Sequence, residues 1–378
     1  MSKKLVTGIT AAGSVGLLPG QLSYFKSKGY KTYLLSPKTG RSVEYSQQEN
    51  CELLELEIER NISLWKDLKS LFRVIRIFLK VKPDIVNLGT PKVALLGLIA
   101  AKLLGVKRRI YTCRGFRYEH EKGRLRSILI FMEKITAFCA QDVICISQSV
   151  KDLGVSYNIF KNNKAVVINK GSSNGIDLKK FSPNGVGLEA ELELKKKYSL
   201  ESYFVFGFVG RIIDRKGINE LYQAFVQLNE VYADTKLLIV GPLEREQLAD
   251  DSLIKKIQDH PNIIWPGRTD DVPTHLKVMD VFVLPAWWEG FGNVLVQAAA
   301  MGIPVISTTG TGTIDAVSDG FNGTLVPVKD VQALKNAMED LYKGKELRLK
   351  YSENGLIWSK NFQSELIWNG MIELFEKP

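Results

Sequence analysis

The segment Asp280–Thr308, with the sequence DVFVLPAWWEGFGNVLVQAAAMGIPVIST, carries the pattern from which the fold is predicted. An apolar run at Val281–Leu284 predicts a buried strand. A polar turn with two glycines follows it, and a helix over about 291–301 leads to a second apolar strand. Such a turn leaves the first helical N–H groups unpaired, and with the positive helix end they form a site for phosphate. Glu289 is placed there to accept hydrogen bonds from a hydroxyl-rich group, although an ordinary turn with an exposed glutamate has the same pattern.

Length and composition indicate a soluble globular protein of two domains. The chain has 378 residues, so each half is long enough to bury its own core. No apolar run reaches the roughly 18 residues of a membrane-spanning helix, and an apolar strand pattern follows Met-Ser-Lys-Lys, so we expect no leader. The four cysteines lack CxxC spacing and nearby histidines. We therefore expect reduced thiols in a cytoplasmic protein and no metal site.

Charge is unevenly distributed along the chain. The net charge is +10, but residues 1–180 contain 31 Lys and Arg against 14 Asp and Glu, a balance of +17. The remaining residues contain 20 against 27, a balance of −7. This asymmetry predicts that the N-terminal half contacts something anionic, such as nucleic acid, a membrane surface or a phosphorylated substrate.

Strand and helix patterns alternate through almost the whole chain, which predicts parallel sheets covered by helices on both faces. One α/β domain is predicted over residues 1–182 and a second over 200–359, with a helical tail at about 360–378. Two such domains usually bind a ligand in the cleft between them, at the carboxyl ends of the strands. Helices are predicted over about 18–28, 63–80, 92–104, 124–140, 148–154, 216–230, 244–258, 272–278, 291–301 and 330–343.

Two basic segments of the first domain have the pattern of amphipathic helices. In Lys66–Lys82 four cations are spaced 4, 3 and 4 residues apart, opposite an apolar face, and Lys122–Lys134 also mixes cations with apolar residues. Such helices can lie on an anionic membrane surface, where each cation contributes roughly 1 kcal/mol. Alternatively, their apolar faces cover the sheet. Nucleic acid is not expected as a partner, because no RNP-type or zinc-finger pattern is present and no aromatics alternate with the cations.

A second glycine-containing turn, in FVGRIIDRKGINEL, predicts a site for a diphosphate. Arg211 ends the strand and Lys216 precedes the next helix, so both would project beside the turn that contains Glu289. Two cations and a helix N-terminus suit a diphosphate and would stabilise it as a leaving group. Gly267 and Arg268, in WPGRTDDVP, follow another strand, where backbone groups could pair with the edge of a base. No Asp-x-Asp pair is present to hold a metal, so protein cations and amides would carry the charge.

These motifs together resemble a known family. The run from Phe204 to Val328 is similar to the nucleotide-sugar-binding half of the family 4 retaining glycosyltransferases, which have the GT-B fold of two Rossmann-like domains. The matching pieces are VGRIIDRKG, VGP, PGRTDDVP, DVFVLPAWWEGFGNVLVQA, GIPVIST and DGFNGTLVP. In the first domain, GSVG, TPKVALLG, YTCRGFRYE and NKGSSNGIDLKKF resemble the subgroup that extends lipid-linked sugars in capsule, O-antigen or glycoprotein assembly.

The resemblance implies a role for each matching residue. Arg211 and Lys216 would bind the donor diphosphate, and Glu289 would contact hydroxyls of the donor sugar; these three form the predicted catalytic set. The C-terminal helix is expected to cross back to the first domain. Further contacts with the nucleotide-sugar are implied for Gly16, Gly210, Arg268, Phe291, Gly292, Asn293 and Gln297.

The predicted acceptor site lies in the first domain and consists of Lys92, Arg114 and Arg117. Arg114 stands in YTCRG, where many relatives have a histidine near the reacting sugar, so an arginine that contacts an anionic acceptor is expected instead. The role of His120 stays open.

The sequence therefore predicts a retaining glycosyltransferase. It would move a sugar, expected to be an N-acetylhexosamine, from a UDP-sugar to a polyprenyl-diphosphate-linked acceptor in surface polysaccharide or glycan biosynthesis. It would need no metal or other cofactor and would lie on the inner face of the cell membrane. A nucleotide-sugar epimerase on the same fold is one alternative, and a basic lipid- or nucleic-acid-binding scaffold without activity is another.

Gln297 leads to the first testable prediction. The family pattern has a second glutamate here, which accepts from the ribose hydroxyls, and a neutral amide forms a weaker hydrogen bond than a carboxylate by about 1 kcal/mol. We therefore expect Gln297→Glu to lower the KM for the donor several-fold, as measured in steady-state assays. Donor binding that does not tighten in this variant would contradict the ribose contact.

Overall fold

The computed structural model describes residues 2–59, 63–119 and 121–377. The chain forms two compact units, one of Met1–Gly175 with Ser364–Pro378 and the other of Ile176–Gln363. The charged segment between the two predicted domains forms a helix at Leu188–Lys197, which belongs to the second unit. Of the helices within the described ranges, none combines the length and apolar character needed to cross a bilayer.

The first unit is built on a parallel sheet of seven strands in the order β3-β2-β1-β4-β5-β6-β7. The strands are β1 (Lys4–Gly8), β2 (Lys31–Ser36), β3 (Glu52–Glu55), β4 (Ile85–Leu88), β5 (Arg108–Cys113), β6 (Asp142–Cys145) and β7 (Ala165–Val166). Its helices are α1 (Gln21–Ser27), α2 (Gly40–Gln48), α3 (Leu64–Val81), α4 (Pro91–Leu103), α5 (Gly123–Cys139) and α6 (Gln148–Ser156).

Helices cover both faces of this sheet because the strands are apolar on both sides. Adjacent residues of a strand point to opposite faces: Leu5 belongs to the apolar core on one side, and Val6 belongs to the core on the other. Helices α3, α4 and α5 pack side by side on the face of the sheet to which Val6 points. The strand order reverses between β1 and β4, and the carboxyl ends of strands at such a point commonly form a ligand site.

The second unit repeats this plan with six parallel strands in the order β10-β9-β8-β11-β12-β13. The strands are β8 (Phe204–Val209), β9 (Thr235–Val240), β10 (Ile263–Gly267), β11 (Val281–Leu284), β12 (Val305–Thr308) and β13 (Gly323–Val326). The helices are α7 (Leu188–Lys197), α8 (Ile218–Asn229), α9 (Ser252–Asp259), α10 (Val272–Lys277), α11 (Asn293–Ala300), α12 (Thr313–Ala316), α13 (Val331–Lys343) and α14 (Lys345–Ser359).

The order of this sheet reverses between β8 and β11, the strands that precede the two predicted phosphate-binding turns. The prediction of a doubly wound fold in each half is confirmed. The single helix predicted over 244–258 is wrong: a 3-10 turn at Arg245–Gln247 is followed by a separate α9.

The last helix, α15 (Ser364–Phe375), completes the first unit. Trp368 and Phe375 join the apolar core that contains Leu5, and the indole Nε1 of Trp368 donates to Asn174 Oδ1 at 2.7 Å. The predicted return of the C-terminal helix to the first domain is therefore confirmed. What each unit binds stays a prediction at this point.

Candidate active site

The turns that follow β8 and β11 contact each other directly through their backbones. The amide of Trp287 donates to the carbonyl of Arg215 at 2.8 Å. Gly217 has φ +71°, and a Cβ atom on it would lie 2.0 Å from the carbonyl oxygen of Pro285. Only glycine fits there, because a side chain would be strained by the left-handed conformation and would overlap the neighbouring backbone. This close approach fixes the distance between Lys216 and the turn that contains Glu289.

A third loop, after β12, packs onto the same turn. The amide of Glu289 donates to the carbonyl of Thr311 at 2.8 Å. Cβ atoms on Gly310 and Gly312 would each lie 2.3 Å from backbone oxygens, those of Trp287 and Glu289 respectively. Sequence reasoning missed this loop, although its two glycines directly after a buried strand were a usable signal. The turn that contains Glu289 is therefore held in place by the turn after β8 and by the loop after β12.

Lys216 and Glu289 form an ion pair between Nζ and Oε1. Both side chains are largely buried, with 12% and 16% of their surfaces exposed. A charge that is removed from water needs a partner. Lys216 and Glu289 therefore stabilise each other at this position. The structure thus brings together two of the three predicted catalytic residues. A diphosphate would attract the ammonium group, and sugar hydroxyls could donate to the carboxylate.

Arg211, the third residue of the predicted catalytic set, lies in the same turn but has a different partner. Its Nη1 atom is 2.8 Å from Glu244 Oε2, and both side chains are more exposed than the Lys216–Glu289 pair. A partly exposed ion pair contributes little stability. Arg211 can therefore exchange its carboxylate for a phosphate at small cost.

Arg215 is a further cation of the site that sequence reasoning missed. Its guanidinium carbon lies 4.3 Å from the centre of the Trp288 ring, in a cation–π contact. Burial lowers the pKa of Arg215, the carboxylate of Glu289 raises it, and neighbouring Arg211 lowers it. The turn after β8 therefore contains three cations, of which Lys216 and Arg215 lie near the carboxylate of Glu289. Such a group of cations suits an anion with more than one charge.

The helix that follows Glu289 begins at Asn293, two residues later than expected. Gly292 is its N-cap, with φ +80°, and Phe291 is buried against Phe362 at a ring distance of 5.1 Å. The first amides of this helix are potential donors to phosphate. Gln297 is four residues after Asn293 and therefore lies on the same face of α11.

Arg268 does not lie on the turns that follow β8 and β11. It follows β10, which is separated from β8 by β9, and its exposed guanidinium pairs with Asp270 at 3.1 Å. The turn is tied to β9 by the amide of Gly241, which donates to the carbonyl of Gly267 at 2.8 Å. Base recognition there stays a prediction.

The predicted acceptor residues have several different environments. Lys92 is buried and pairs with Asp67 at 2.5 Å, and Arg117 is exposed and pairs with Glu121 at 3.3 Å. The partly buried side chain of Arg114 packs on Gly89, and burial lowers its pKa to about 10, so it stays charged at neutral pH. Gly16 is exposed and lies in a 3-10 turn at Ala12–Leu17. His120 lies outside the described residues.

No three His, Cys, Asp or Glu side chains within residues 2–59, 63–119 and 121–377 are grouped so that they could hold a metal ion. All four cysteines are free thiols. The expectation that the reaction needs no metal stays a prediction.

Comparisons with known proteins identify the family of the chain. The family model "Glycosyl transferases group 1" matches residues 190–358, and "Glycosyl transferase 4-like" matches residues 10–147. The chain is 37% identical over 375 residues to the capsular polysaccharide biosynthesis glycosyltransferase CapM of Staphylococcus aureus, covering 99% of this chain and 97% of that protein. It is 32% identical over 347 residues to the Escherichia coli UDP-Gal:alpha-D-GlcNAc-diphosphoundecaprenol alpha-1,3-galactosyltransferase, covering 88% and 84%.

The fold is shared with solved structures at lower identity. The crystal structure of Anabaena HepE in complex with UDP and glucose matches with a TM-score of 0.81 at 17% identity, covering 98% of both chains. The protein is thus a glycosyltransferase with the GT-B fold. It belongs to family 4 of these enzymes and is a hexosyltransferase of capsule or glycan assembly.

The close approach at Gly217 leads to a stability prediction. Gly217→Ala would place a methyl group against the carbonyl of Pro285 at a left-handed φ, at a cost of roughly 1–2 kcal/mol for the conformation alone. We expect the melting temperature of the protein to fall by several degrees in calorimetry, with a parallel loss of UDP affinity. Gly187→Ala is the matched control, because φ there is −66° and no described atom lies within 4 Å of the added Cβ. Equal melting temperatures for the two variants would contradict the packing described here.

Proposed function

We propose that the protein moves a sugar, an N-acetylhexosamine, from a UDP-sugar to an acceptor carried on a polyprenyl diphosphate, with retention of configuration. The observation that carries the proposal is the buried Lys216–Glu289 pair between the turns after β8 and β11. This position combines a carboxylate suited to sugar hydroxyls, cations suited to a diphosphate and the N-terminus of α11.

The chemistry follows from charge development in the transition state. As the bond between the sugar and the diphosphate breaks, negative charge builds on the phosphate oxygen, and preorganised cations stabilise that charge. Lys216, Arg211 and the first amides of α11 would supply this stabilisation without a metal. Glu289, released from its ammonium partner, would accept hydrogen bonds from the donor sugar. We propose a front-face displacement in which the leaving diphosphate assists deprotonation of the acceptor hydroxyl.

The names of the relatives support a UDP-sugar as the donor and a lipid-linked acceptor. The E. coli relative uses UDP-Gal and a GlcNAc-diphosphoundecaprenol acceptor, and the structure of HepE contains UDP and glucose. Similarity over most of the chain favours the same classes of donor and acceptor here. It also favours transfer over epimerisation and over a scaffold without activity.

A membrane contact belongs to the same proposal, because a polyprenyl chain is embedded in a bilayer. Helix α3 packs on the core through buried residues such as Val74 and Phe78, but α3 and α5 both expose large apolar side chains as well. Trp65 is 84% exposed, Phe72 58% and Phe131 63%. The neighbouring cations of both helices suit an anionic lipid surface. We propose that this face holds the enzyme on the inner side of the cell membrane.

Substitution at Glu289 tests the donor site. We expect Glu289→Ala to lower turnover by at least about 100-fold, which corresponds to roughly 3 kcal/mol of lost transition-state stabilisation. Lys216→Ala should weaken UDP binding about tenfold in calorimetry, through loss of a charge-assisted contact. Glu193→Ala, at an exposed carboxylate of the same unit, is the control. Near-normal turnover in Glu289→Ala would count against the site, and absence of UDP binding by the unaltered protein would support a scaffold instead.

Vesicle sedimentation tests the membrane face. The unaltered protein should sediment with vesicles that contain anionic lipid and less with purely zwitterionic ones, in a salt-dependent way. Replacing both Trp65 and Phe72 by serine should reduce the bound fraction at least tenfold, because buried apolar area is lost. Leu349→Ser, at an exposed apolar side chain of α14, should have no effect. Equal binding by all three proteins would contradict the proposed face.

A further inference from the structure

The first unit contains a cavity of about 300 Å³ that the donor site does not use. It is formed by the turns after β1, β4 and β5 together with one side of α5, so it lies at the point where the order of the first sheet reverses. Its volume is at the lower end of the range for small-molecule pockets. The polar residues that line the cavity include Thr10, Ser14, Lys92, Tyr118 and Glu133.

Tyr118 belongs to the lining of this cavity and has an unsatisfied hydroxyl group. Its side chain is completely buried, and the hydroxyl has no hydrogen-bond partner among the residues that the structure describes. The ring is fixed by stacking on Phe116 at 4.9 Å and by an edge contact with Tyr157 at 5.3 Å. A buried hydroxyl without a partner is unfavourable. A ligand with its own hydroxyl or amide groups would satisfy it.

Glu133 is a second buried polar group in the same lining. It is only 7% exposed, and its Oε2 atom accepts a hydrogen bond from the hydroxyl of Tyr111 at 2.7 Å. Burial raises the pKa of Glu133 to about 7, against which the Tyr111 hydrogen bond lowers it. The carboxyl group can thus both accept and donate a hydrogen bond near neutral pH, as recognition of hydroxyl and acetamido groups requires.

The charges around the cavity favour a neutral ligand inside it and an anion outside. Lys92 is already neutralised by Asp67. Arg117 is exposed, and its ion pair with Glu121 is weak enough to be replaced by a phosphate. Leu129 and Met132 form an apolar part of the cavity lining, and an apolar surface suits the C–H face of a sugar ring.

We infer that this cavity holds the acceptor's sugar ring, and that Glu133 and Tyr118 determine which sugar is accepted by hydrogen bonding to its hydroxyl or acetamido groups. The volume fits one ring rather than an oligosaccharide. The inference rests on the proposed function, because it assigns a part of the lipid-linked acceptor to a site in the first unit.

The test compares lipid probes with and without a sugar. Binding of the full-length protein in detergent micelles would be measured for undecaprenyl diphosphate and for its GlcNAc, glucose and galactose derivatives. The unaltered protein should bind at least one sugar-bearing probe about tenfold more tightly than the sugar-free lipid. Glu133→Gln and Tyr118→Phe should each reduce this difference several-fold, whereas affinities for the sugar-free lipid and for UDP stay unchanged. Glu44→Gln, at an exposed carboxylate of the same unit, should behave as the unaltered protein.

A pH series separates recognition from a purely structural role. The preference for the sugar-bearing probe should change between about pH 6 and 8 in the unaltered protein and be independent of pH in Glu133→Gln. Equal melting temperatures would establish that both variants fold. The inference is overturned if no probe gains affinity from its sugar, or if folded Glu133→Gln and Tyr118→Phe keep the full preference. Absence of UDP binding by the unaltered protein, or near-normal turnover in Glu289→Ala, would instead overturn the proposed function.

Discussion

The approach of Gly217 to the carbonyl of Pro285 is the constraint on which the candidate active site of the second unit depends. Parallel strands that are neighbours at the reversal point place their turns side by side, but side chains at the turn would hold them apart. A glycine with positive φ removes this obstacle, and the turns then share a backbone hydrogen bond. Lys216 and Glu289 come together as a consequence. The ion pair is thus a product of the backbone geometry and not its cause.

The electrostatics of the site follow from this geometry. The buried carboxylate of Glu289 pairs with Lys216 and raises the pKa of Arg215, whereas Arg211, a neighbour of Arg215, pairs with Glu244. Crowded cations repel one another, and burial removes the water that would screen them. In the proposed function an incoming diphosphate would relieve this repulsion. The proposed nucleotide site would therefore gain more from binding than an equal number of isolated surface cations would.

The sequence was sufficient to predict the two sheets, the turns after β8 and β11, and the position of Glu289, because apolar periodicity and glycine spacing are local properties. The partners of charged side chains, in contrast, are not determined by the local sequence. Glu244 and Asp67 lie 33 and 25 residues from Arg211 and Lys92, and nothing in their immediate sequence marks them as partners. Helix α2 was missed for a related reason. Its polar sequence, GRSVEYSQQ, gives little apolar pattern, and a capping box between Thr39 and Ser42 starts it. Hydrogen bonding compensates there for weak periodicity.

The strong positive charge of the N-terminal half has more than one origin. Part of it is structural: Lys92 is neutralised by Asp67, Arg108 pairs with Asp142, and Arg114 is packed against Gly89. These cations contribute little field at the surface. The cations that remain accessible include those of α3 and α5, beside exposed apolar side chains such as Trp65 and Phe131. A charge excess alone would suit any polyanion, but the exposed apolar side chains beside it are costly in water and favourable in lipid. The combination therefore supports the proposal of a bilayer, and not nucleic acid, as the partner of this face.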